Sequence, residues 1–290
     1  MSSAQPRGDD FGPTPAWRFG IEHIGSRLRQ SVSAVVAAVA YVGGLVRLLG
    51  AVGQRTIRAL RGGAHRVRRE ALVQQGVRVG VRSIPIVMIV QVFVGIILAL
   101  SLARPLSDFG QLDRVADVVA LAMFREMGAL FSAVILSGFA GASIAAELGA
   151  MVEGEEIKAL RAHALDPIRF LVVPRIIATS VMMVGLTILA NVVGVLGGFL
   201  TSVLALGVNP LTYIDLTREA LTLTDYFTGL LKGAVFGLLI AGLACYEGLN
   251  VSGGAEGVGR ATTTTVVKSI VCLIGADCIF AIIFYRLELW

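Results

Sequence analysis

The sequence predicts an all-α polytopic membrane protein, and three observations support this fold class. Hydrophobic residues make up 56% of the 290 residues, charged residues only 16%, and the mean hydropathy is +0.80. A typical soluble domain is about a quarter charged, so this chain is too apolar for a water-soluble fold. Several apolar stretches reach the roughly 20 residues of a membrane-crossing helix. Thirteen of the 25 basic residues lie in the first 82 positions, ahead of the strongest apolar stretches.

The amino-terminal part of the chain predicts two peripheral segments. Residues 1–30 are polar and rich in proline and glycine, which predicts a disordered cytoplasmic tail. Residues 31–53 are apolar but contain two adjacent glycines and Arg47, and an arginine-rich stretch follows them. We interpret residues 31–82 as a helix lying in the membrane interface plus a basic cytoplasmic segment. A sixth span at residues 31–53 is the alternative.

Five apolar segments follow and predict five transmembrane helices within one domain, residues 83–290. The third is long enough to tilt, or to break at its glycine pair Gly197-Gly198. The five predicted spans are residues 83–103, 118–150, 174–206, 226–246 and 266–285.

The distribution of basic residues predicts the orientation of these spans. A cytoplasmic amino terminus places the 13 early arginines and six later basic residues inside, and only four outside. Cytoplasmic loops of membrane proteins carry such an excess of lysine and arginine. We therefore predict a protein of the cell inner (plasma) membrane with its carboxyl terminus on the external side. These two ends require an odd number of spans, which favours the interfacial interpretation of residues 31–53.

The sequence contains no motif of the common catalytic or nucleotide-binding sites. The patterns GxxxxGK[ST], HExxH and GxSxG are all absent, so neither a catalytic site nor an ATP site is predicted in this chain. The three histidines and three cysteines lack ligand spacing, so no metal site and no cofactor are predicted. Few aromatic or base-reading groups accompany the basic flank, so nucleic acid is not a predicted partner.

Charged residues inside the predicted spans are the main candidates for a functional site. They are Arg125, Glu126, Glu147, Lys232 and Asp277. Each costs about 3 kcal/mol at bilayer depth, so each is expected to face the bundle interior or a watery cavity. We expect Lys232 to pair with Glu126 or Asp277. A structural salt bridge and a polar cavity for a lipid headgroup both fit this pattern, whereas Glu147, near the cytoplasmic end, is expected to be structural.

Two predicted cytoplasmic loops and two stripes of small residues complete the pattern. Residues 151–169 predict a short charged amphipathic helix, which is either a solvated loop or a docking surface for a soluble partner. Residues 252–267 predict a glycine-rich turn followed by the start of a threonine-rich helix. The lysine of a phosphate-binding loop is missing there, so we exclude a phosphate cradle. The stripes at 138–149 and 229–241 predict close helix packing, within one bundle or between subunits.

At these two loops the sequence resembles the MlaE/YrbE permease family, the membrane subunits of Mla-type and Mce-associated ABC transporters for phospholipids and other lipids. The matching segments lie in the family's order over roughly residues 70–285. They are REMG at 125–128, GFAGASIAAELGAM at 138–151, EEIKAL at 155–160, DPIRFLVVPR at 166–175 and GGAEGVGRATT at 253–263, followed by Asp277. Three residues depart from the family pattern: Ala129 replaces a proline, and Phe139 and Thr264 replace arginines.

The resemblance implies an MlaE-type permease fold, an amino-terminal interfacial helix plus five spans, which works as a dimer with a second permease copy or a paralogue. It implies cytoplasmic ABC ATPase subunits, which bind ATP and Mg, and an MCE-domain lipid-binding protein on the outer face. By similarity, Arg125, Glu126, Lys232 and Asp277 are predicted to serve the lipid pocket and transport. The predicted ATPase-docking residues are Glu153, Glu155, Glu156, Lys158, Leu160 and Asp166.

Three functions remain under consideration from the sequence. The first is the permease of an ATP-driven lipid transporter, with phospholipid as the expected substrate. The second is an ion-coupled secondary transporter with Asp277 and Glu126 as ion carriers, although no inverted repeat with paired broken helices is evident. The third is a membrane scaffold that transports nothing.

Overall fold

The computed structural model describes residues 33, 36, 39–58 and 69–288. The chain divides into two units, Met1–Arg47 and Leu48–Trp290. In the first unit, residues 39–47 are helical. The predicted tail at residues 1–30 and the basic stretch at 59–68 lie outside the described residues.

The second unit is helical throughout its described residues, apart from short turns. Five of its helices are long and apolar enough to cross a membrane. They are span 1 (Glu70–Asp108), span 2 (Leu112–Glu153), span 3 (Ile168–Leu204), span 4 (Leu223–Leu249) and span 5 (Gly254–Arg286). The predicted all-α polytopic class and its five spans are therefore confirmed. Helical residues 48–58 are not among these spans, and their position in the membrane interface stays a prediction.

Most spans extend beyond the predicted apolar segments at both ends. Residues 69–82, which the sequence assigned to the basic segment, form the helix Arg69–Val79 and the 3-10 turn Val81–Ser83. They lead directly into the helix Ile84–Asp108. The glycine-rich turn predicted at 252–267 is also shorter than expected, because span 5 is helical from Gly254. Tertiary packing overrides the weak helix propensity of glycine there.

Span 2 is irregular within its length, whereas span 3 is irregular only at its start. Two π-helical turns, each five residues long, interrupt span 2, and a third begins span 3. Such turns are frequent at functional sites. The segments of span 2 are Leu112–Arg114, Val115–Ala122, Met123–Met127, Gly128–Leu136, Ser137–Gly141 and Ala142–Glu153; those of span 3 are Ile168–Val172 and Val173–Leu204.

The glycines of spans 3 and 4 permit close helix packing rather than bending. Span 3 continues through Gly197-Gly198, where a Cβ on Gly197 would lie 3.1 Å from the Cα of Val92 on span 1. A Cβ on Gly237 of span 4 would lie 2.7 Å from the Cα of Ser180 on span 3. The break considered at the glycine pair is therefore absent, and this part of the 229–241 stripe packs within the bundle.

Two short helices distinguish the ends of the bundle. Glu156–Ala162 connects span 2 to span 3, and Pro210–Ala220 connects span 3 to span 4. We call these ends the Glu156 end and the Pro210 end. The charged helix predicted within residues 151–169 is thus present, and it ends before Asp166-Pro167. Ile157 is 7% exposed and packs into the main hydrophobic core, which anchors this helix to the bundle.

Candidate functional site

Three spans meet at a buried lysine. The side chain of Lys232, on span 4, is 0% exposed. Its Nζ lies 2.7 Å from Oε2 of Glu126 on span 2 and donates a hydrogen bond to Oδ1 of Asp277 on span 5 at 2.9 Å. The ring centroid of Phe284 lies 5.8 Å from the same nitrogen. One ammonium group therefore links spans 2, 4 and 5, and we call Glu126, Lys232 and Asp277 the charge triad.

The charge triad is unequal in charge and in exposure. Two carboxylates face one ammonium, so the formal charges sum to −1. The side chain of Glu126 is 24% exposed and that of Asp277 is 15% exposed, whereas Lys232 is enclosed. A buried cation is tolerated in a membrane helix when it is paired in this way. The triad can thus hold its lysine in place while its carboxylates remain accessible to a ligand or to water.

A second ion pair joins spans 2 and 4 beside the triad. Nε of Arg125 donates to Oδ1 of Asp225 at 2.6 Å, and Asp225 is 0% exposed. Its other oxygen accepts from the hydroxyl of Thr222 at 2.6 Å, within the capping box that begins span 4. Asp225 and Lys232 are seven residues apart, so about two helical turns separate them on the same face.

Arg125 pairs with Asp225, and the adjacent Glu126 pairs with Lys232. Both residues of span 2 therefore contact the same face of span 4. Arg125 and Glu126 both lie in the π-helical turn Met123–Met127, whose wider winding departs from the 100° step of an α-helix. The sequence analysis missed Asp225, because the predicted span began one residue later. The spacing Thr222-x-x-Asp225, a capping-box signature, could have identified it.

A separate charge cluster lies at the Glu156 end. Oε1 of Glu147 accepts from Nη1 of Arg78 on span 1 at 2.7 Å, and its Oε2 lies 3.1 Å from Nη2 of Arg175 on span 3. The side chain of Arg175 is only 6% exposed. Glu147 thus connects spans 1, 2 and 3, which agrees with the structural role expected for it.

The predicted docking residues occupy this same end of the molecule. Glu153, Glu155, Glu156, Lys158 and Asp166 are exposed, whereas Leu160 is partly buried against the main core. A hydrogen bond from Lys158 lowers the pKa of Glu155, and the two groups lie 2.7 Å apart. Nε of Arg55 donates to Oδ2 of Asp166 at 2.5 Å, which ties residues 48–58 to the loop. The exposed charges form a surface that a soluble partner could contact, and Leu160 is the least accessible of the set.

The predicted docking residues and the charge triad lie in different parts of the bundle. Lys232 is nine residues from the first residue of span 4, and Asp277 is nine residues from the last residue of span 5. At 1.5 Å per residue, the triad is therefore about 14 Å inside the Pro210 end. Along span 2, the 27 residues from Glu126 to Glu153 correspond to roughly 40 Å. Any coupling between the two sites must therefore pass along the spans.

Comparison with known proteins places this arrangement in a family. The family model described as Permease MlaE matches residues 72–283. A probable ABC transporter permease of Rickettsia typhi is 38% identical over 203 residues, which is 70% of this chain and 78% of the relative. The chloroplastic protein TRIGALACTOSYLDIACYLGLYCEROL 1 of Arabidopsis thaliana is 32% identical over 234 residues, 81% of this chain and 66% of the relative.

A third relative is the intermembrane phospholipid transport system permease protein MlaE of Haemophilus influenzae. It is 31% identical over 215 residues, covering 74% of this chain and 82% of the relative. The residues that the family model matches include all five spans apart from the start of span 1 and the end of span 5. The chain belongs to the MlaE permease family.

Proposed function

We propose that this chain is the membrane permease subunit of an ATP-driven lipid transporter, with phospholipid as the substrate. Two permease copies, or this chain and a paralogue, form the lipid path, and separate ATPase subunits hold the ATP and Mg. An MCE-domain protein exchanges lipid at the outer face. The observation that carries the proposal is the charge triad, which links three spans through one buried ammonium. The Haemophilus influenzae relative, a permease protein of an intermembrane phospholipid transport system, supports the substrate class.

The triad suggests how lipid binding could be coupled to movement of the spans. A lipid phosphate carries the same sign of charge as Glu126 and Asp277 and competes with them for Lys232. When the phosphate takes the ammonium, the two carboxylates lose their partner and the link between spans 2, 4 and 5 weakens. A ligand shifts an equilibrium only by its different affinity for the two states, and this competition supplies such a difference.

The orientation of the chain follows from its charges. We place the Glu156 end in the cytoplasm of a cell whose inner membrane holds the protein, and the Pro210 end outside. The exposed charges of Glu153, Glu155, Glu156 and Lys158 then meet the ATPase subunits. The charge triad lies in the outer half of the membrane, on the side of the MCE-domain partner.

The proposal is tested first by isolating the protein with its partners. The chain is extracted in a mild non-ionic detergent, and the proteins and lipids that accompany it are identified by mass spectrometry. We expect an ABC ATPase, an MCE-domain protein and enriched phospholipid. Reconstituted in vesicles, this assembly should move fluorescent phospholipid only when ATP is present. An isolated chain without ATPase or enriched lipid would contradict the proposal.

The surplus carboxylate of the triad favours one other function, an ion-coupled transporter. A formal charge of −1 beside a buried lysine could accept and release a proton or another cation during transport. Vesicles that contain the chain alone, with an imposed pH gradient and no ATP, distinguish the two functions. Lipid movement driven by the gradient would support ion coupling, and the absence of movement in these vesicles would exclude it. If neutral substitutions at Lys232 and Asp277 leave transport unchanged, the triad serves only structure.

A further inference from the structure

The Glu156 end contains a polar cavity that is separate from the charge triad. A cavity of about 140 Å³ lies between the start of span 1 and span 2, and it adjoins an open cleft of about 600 Å³. Cavity and cleft share four lining residues, Gln75, Arg78, Arg82 and Glu147. Ser143 also lines the cavity, and its hydroxyl accepts a long hydrogen bond of 3.4 Å from Nη2 of Arg78. The hydroxyl proton is left free to be donated to a ligand.

The charges around this cavity favour an anion. Glu147 is the only acidic lining residue of the cavity, and two arginines already share its charge, Arg78 and the buried Arg175. Arg82 is exposed and makes no ion pair with any residue that the structure describes. Arg78 and Arg82 line the cavity and Arg175 pairs with Glu147 from outside it, so these three arginines and one carboxylate leave a formal charge of +2. The planar fork of a guanidinium matches the oxygens of a phosphate group.

The position of the cavity favours a lipid as the source of the phosphate. Arg82 lies two residues before the apolar helix Ile84–Asp108, so we expect both cavity arginines near the membrane headgroups. Val73 and Val77 line the cleft on one side and an apolar groove of about 370 Å³ on the other. That groove runs between spans 1 and 3 and is lined by Val181 and other apolar side chains. The cationic cleft and the apolar groove thus lie next to each other, so one amphipathic ligand can place its charged group in the first and its apolar chain in the second.

We propose that this cavity binds the phosphate group of a phospholipid from the leaflet at the Glu156 end. Arg78 and Arg82 hold the phosphate oxygens, Ser143 donates a further hydrogen bond, and an acyl chain follows the apolar groove. The site binds lipid at the opposite end of the bundle from the charge triad. Its occupancy does not depend on the proposed transport function.

The experiment measures lipid bound to the purified full-length chain in non-ionic detergent. The chain is titrated with phosphatidylglycerol, and bound lipid is counted by native mass spectrometry. Arg82→Gln should bind phosphatidylglycerol at least about tenfold more weakly, because it loses a charge-assisted contact without breaking an ion pair. Arg82→Lys should fall between this variant and the wild type, since it keeps the charge and loses the fork. Arg260→Gln removes an exposed arginine from the same end, outside the cavity, and should bind as the wild type does.

Three results would overturn the proposal. The first is wild-type binding by Arg82→Gln, and the second is an equal loss in Arg82→Gln and Arg260→Gln, which would indicate unspecific attraction to a basic surface. The third is displacement of the lipid by inorganic phosphate at millimolar concentration, which would show that the ligand is free phosphate. We expect no such displacement. Thermal unfolding of each variant confirms that it is folded. The measurement uses the chain without ATP or partner subunits, so a failure of the transport proposal leaves the result interpretable.

Discussion

Nζ of Lys232 donates a hydrogen bond to Oδ1 of Asp277 at 2.9 Å and thereby ties span 5 to span 4. Most side chains of span 5 are not buried, and between Leu273 and Phe284 none is fully buried. Near this ion pair, the ring of Phe236 on span 4 packs edge-to-face against Phe280 on span 5, with the ring centroids 6.3 Å apart. The ion pair therefore lies where span 5 has few other attachments, so a ligand that competes for Lys232 acts on a weakly held helix.

Removing the lysine of the charge triad should destabilise the bundle. Lys232→Met leaves the carboxylates of Glu126 and Asp277 close together without their cation, and breaking a buried pair costs about 3–5 kcal/mol. Unfolding in detergent, followed by circular dichroism, measures this loss. The triple variant that adds Glu126→Gln and Asp277→Asn should recover much of the stability, because no charge is then left unpaired. The explanation fails if the triple variant is less stable than Lys232→Met. ATP-dependent lipid transport should be lost in both.

Arg125 and Asp225 should be energetically coupled. Their side chains lie 2.6 Å apart and Asp225 is enclosed. Residues in such contact usually show a coupling free energy of about 0.5–3 kcal/mol, and we expect a value in this range. The unfolding free energies of Arg125→Gln, Asp225→Asn and the double variant give this coupling. Thr222→Ala should cost about 1 kcal/mol, the usual loss for a helix cap, since it leaves the ion pair in place. Strictly additive effects of Arg125→Gln and Asp225→Asn would show that the pair contributes nothing.

The Arg55–Asp166 pair should make stability depend on acidic pH. Burial raises the pKa of Asp166, but the hydrogen bond and charge of Arg55, together with backbone hydrogen bonds from Ile168 and Arg169, lower it more, so this pKa lies below its usual value. Because the unfolded carboxyl protonates first, the pair stabilises the fold above about pH 4, and this contribution is lost as pH falls through the lower folded pKa. The side chains are 28% and 39% exposed, so the effect is about 1 kcal/mol at most.

This dependence is measured by thermal unfolding of the wild type and Asp166→Asn across about pH 2.5 to 7, a range that brackets the usual Asp pKa of about 3.9. The two proteins should differ at neutral pH and converge at the acidic limit. A difference that stays constant over the whole range would contradict the assignment.

The glycine packing between spans 3 and 4 allows a matched comparison. In Gly237→Ala the new methyl group would lie 2.7 Å from the Cα of Ser180 and 2.9 Å from Cβ of Met183, so the helices must separate. Overpacking of this kind costs about 1–3 kcal/mol. Gly185→Ala, on span 3, meets nothing within 4 Å and should be neutral or slightly stabilising. Equal unfolding temperatures for the two variants would contradict the close contact.

The exposed charges at the Glu156 end should decide whether the ATPase binds. Glu156 is exposed at the start of its short helix, so Glu156→Lys reverses a charge without disturbing the core. Co-purification with the ATPase should decrease strongly, while folding and phosphatidylglycerol binding stay unchanged. Arg286→Glu, a charge reversal at the far end of span 5, serves as the control. Unchanged recovery of the ATPase with Glu156→Lys would place the docking surface elsewhere.

Much of the architecture could be predicted because it depends on local composition. Apolar length determines which segments cross a bilayer, so the five spans and the short helix before Asp166-Pro167 were evident in the sequence. The helix ends were less predictable, since span 1 continues through residues 69–82 and span 5 begins at Gly254. Tertiary contacts stabilise polar and glycine-rich residues in helices that their own propensities would not support.

The sequence by itself predicted a set of charges inside the bundle, because a charge within an apolar span must be paired or face a polar cavity. It singled out Lys232, Glu126 and Asp277 but left open which carboxylate pairs with the lysine. Only the tertiary structure decided that both do, and that Asp225 receives Arg125. Ion pairing depends on the rotation and register of neighbouring helices, and in span 2 a π-helical turn shifts that register at Met123–Met127. Sequence spacing cannot specify such a shift, because it arises from the packing of whole helices against one another.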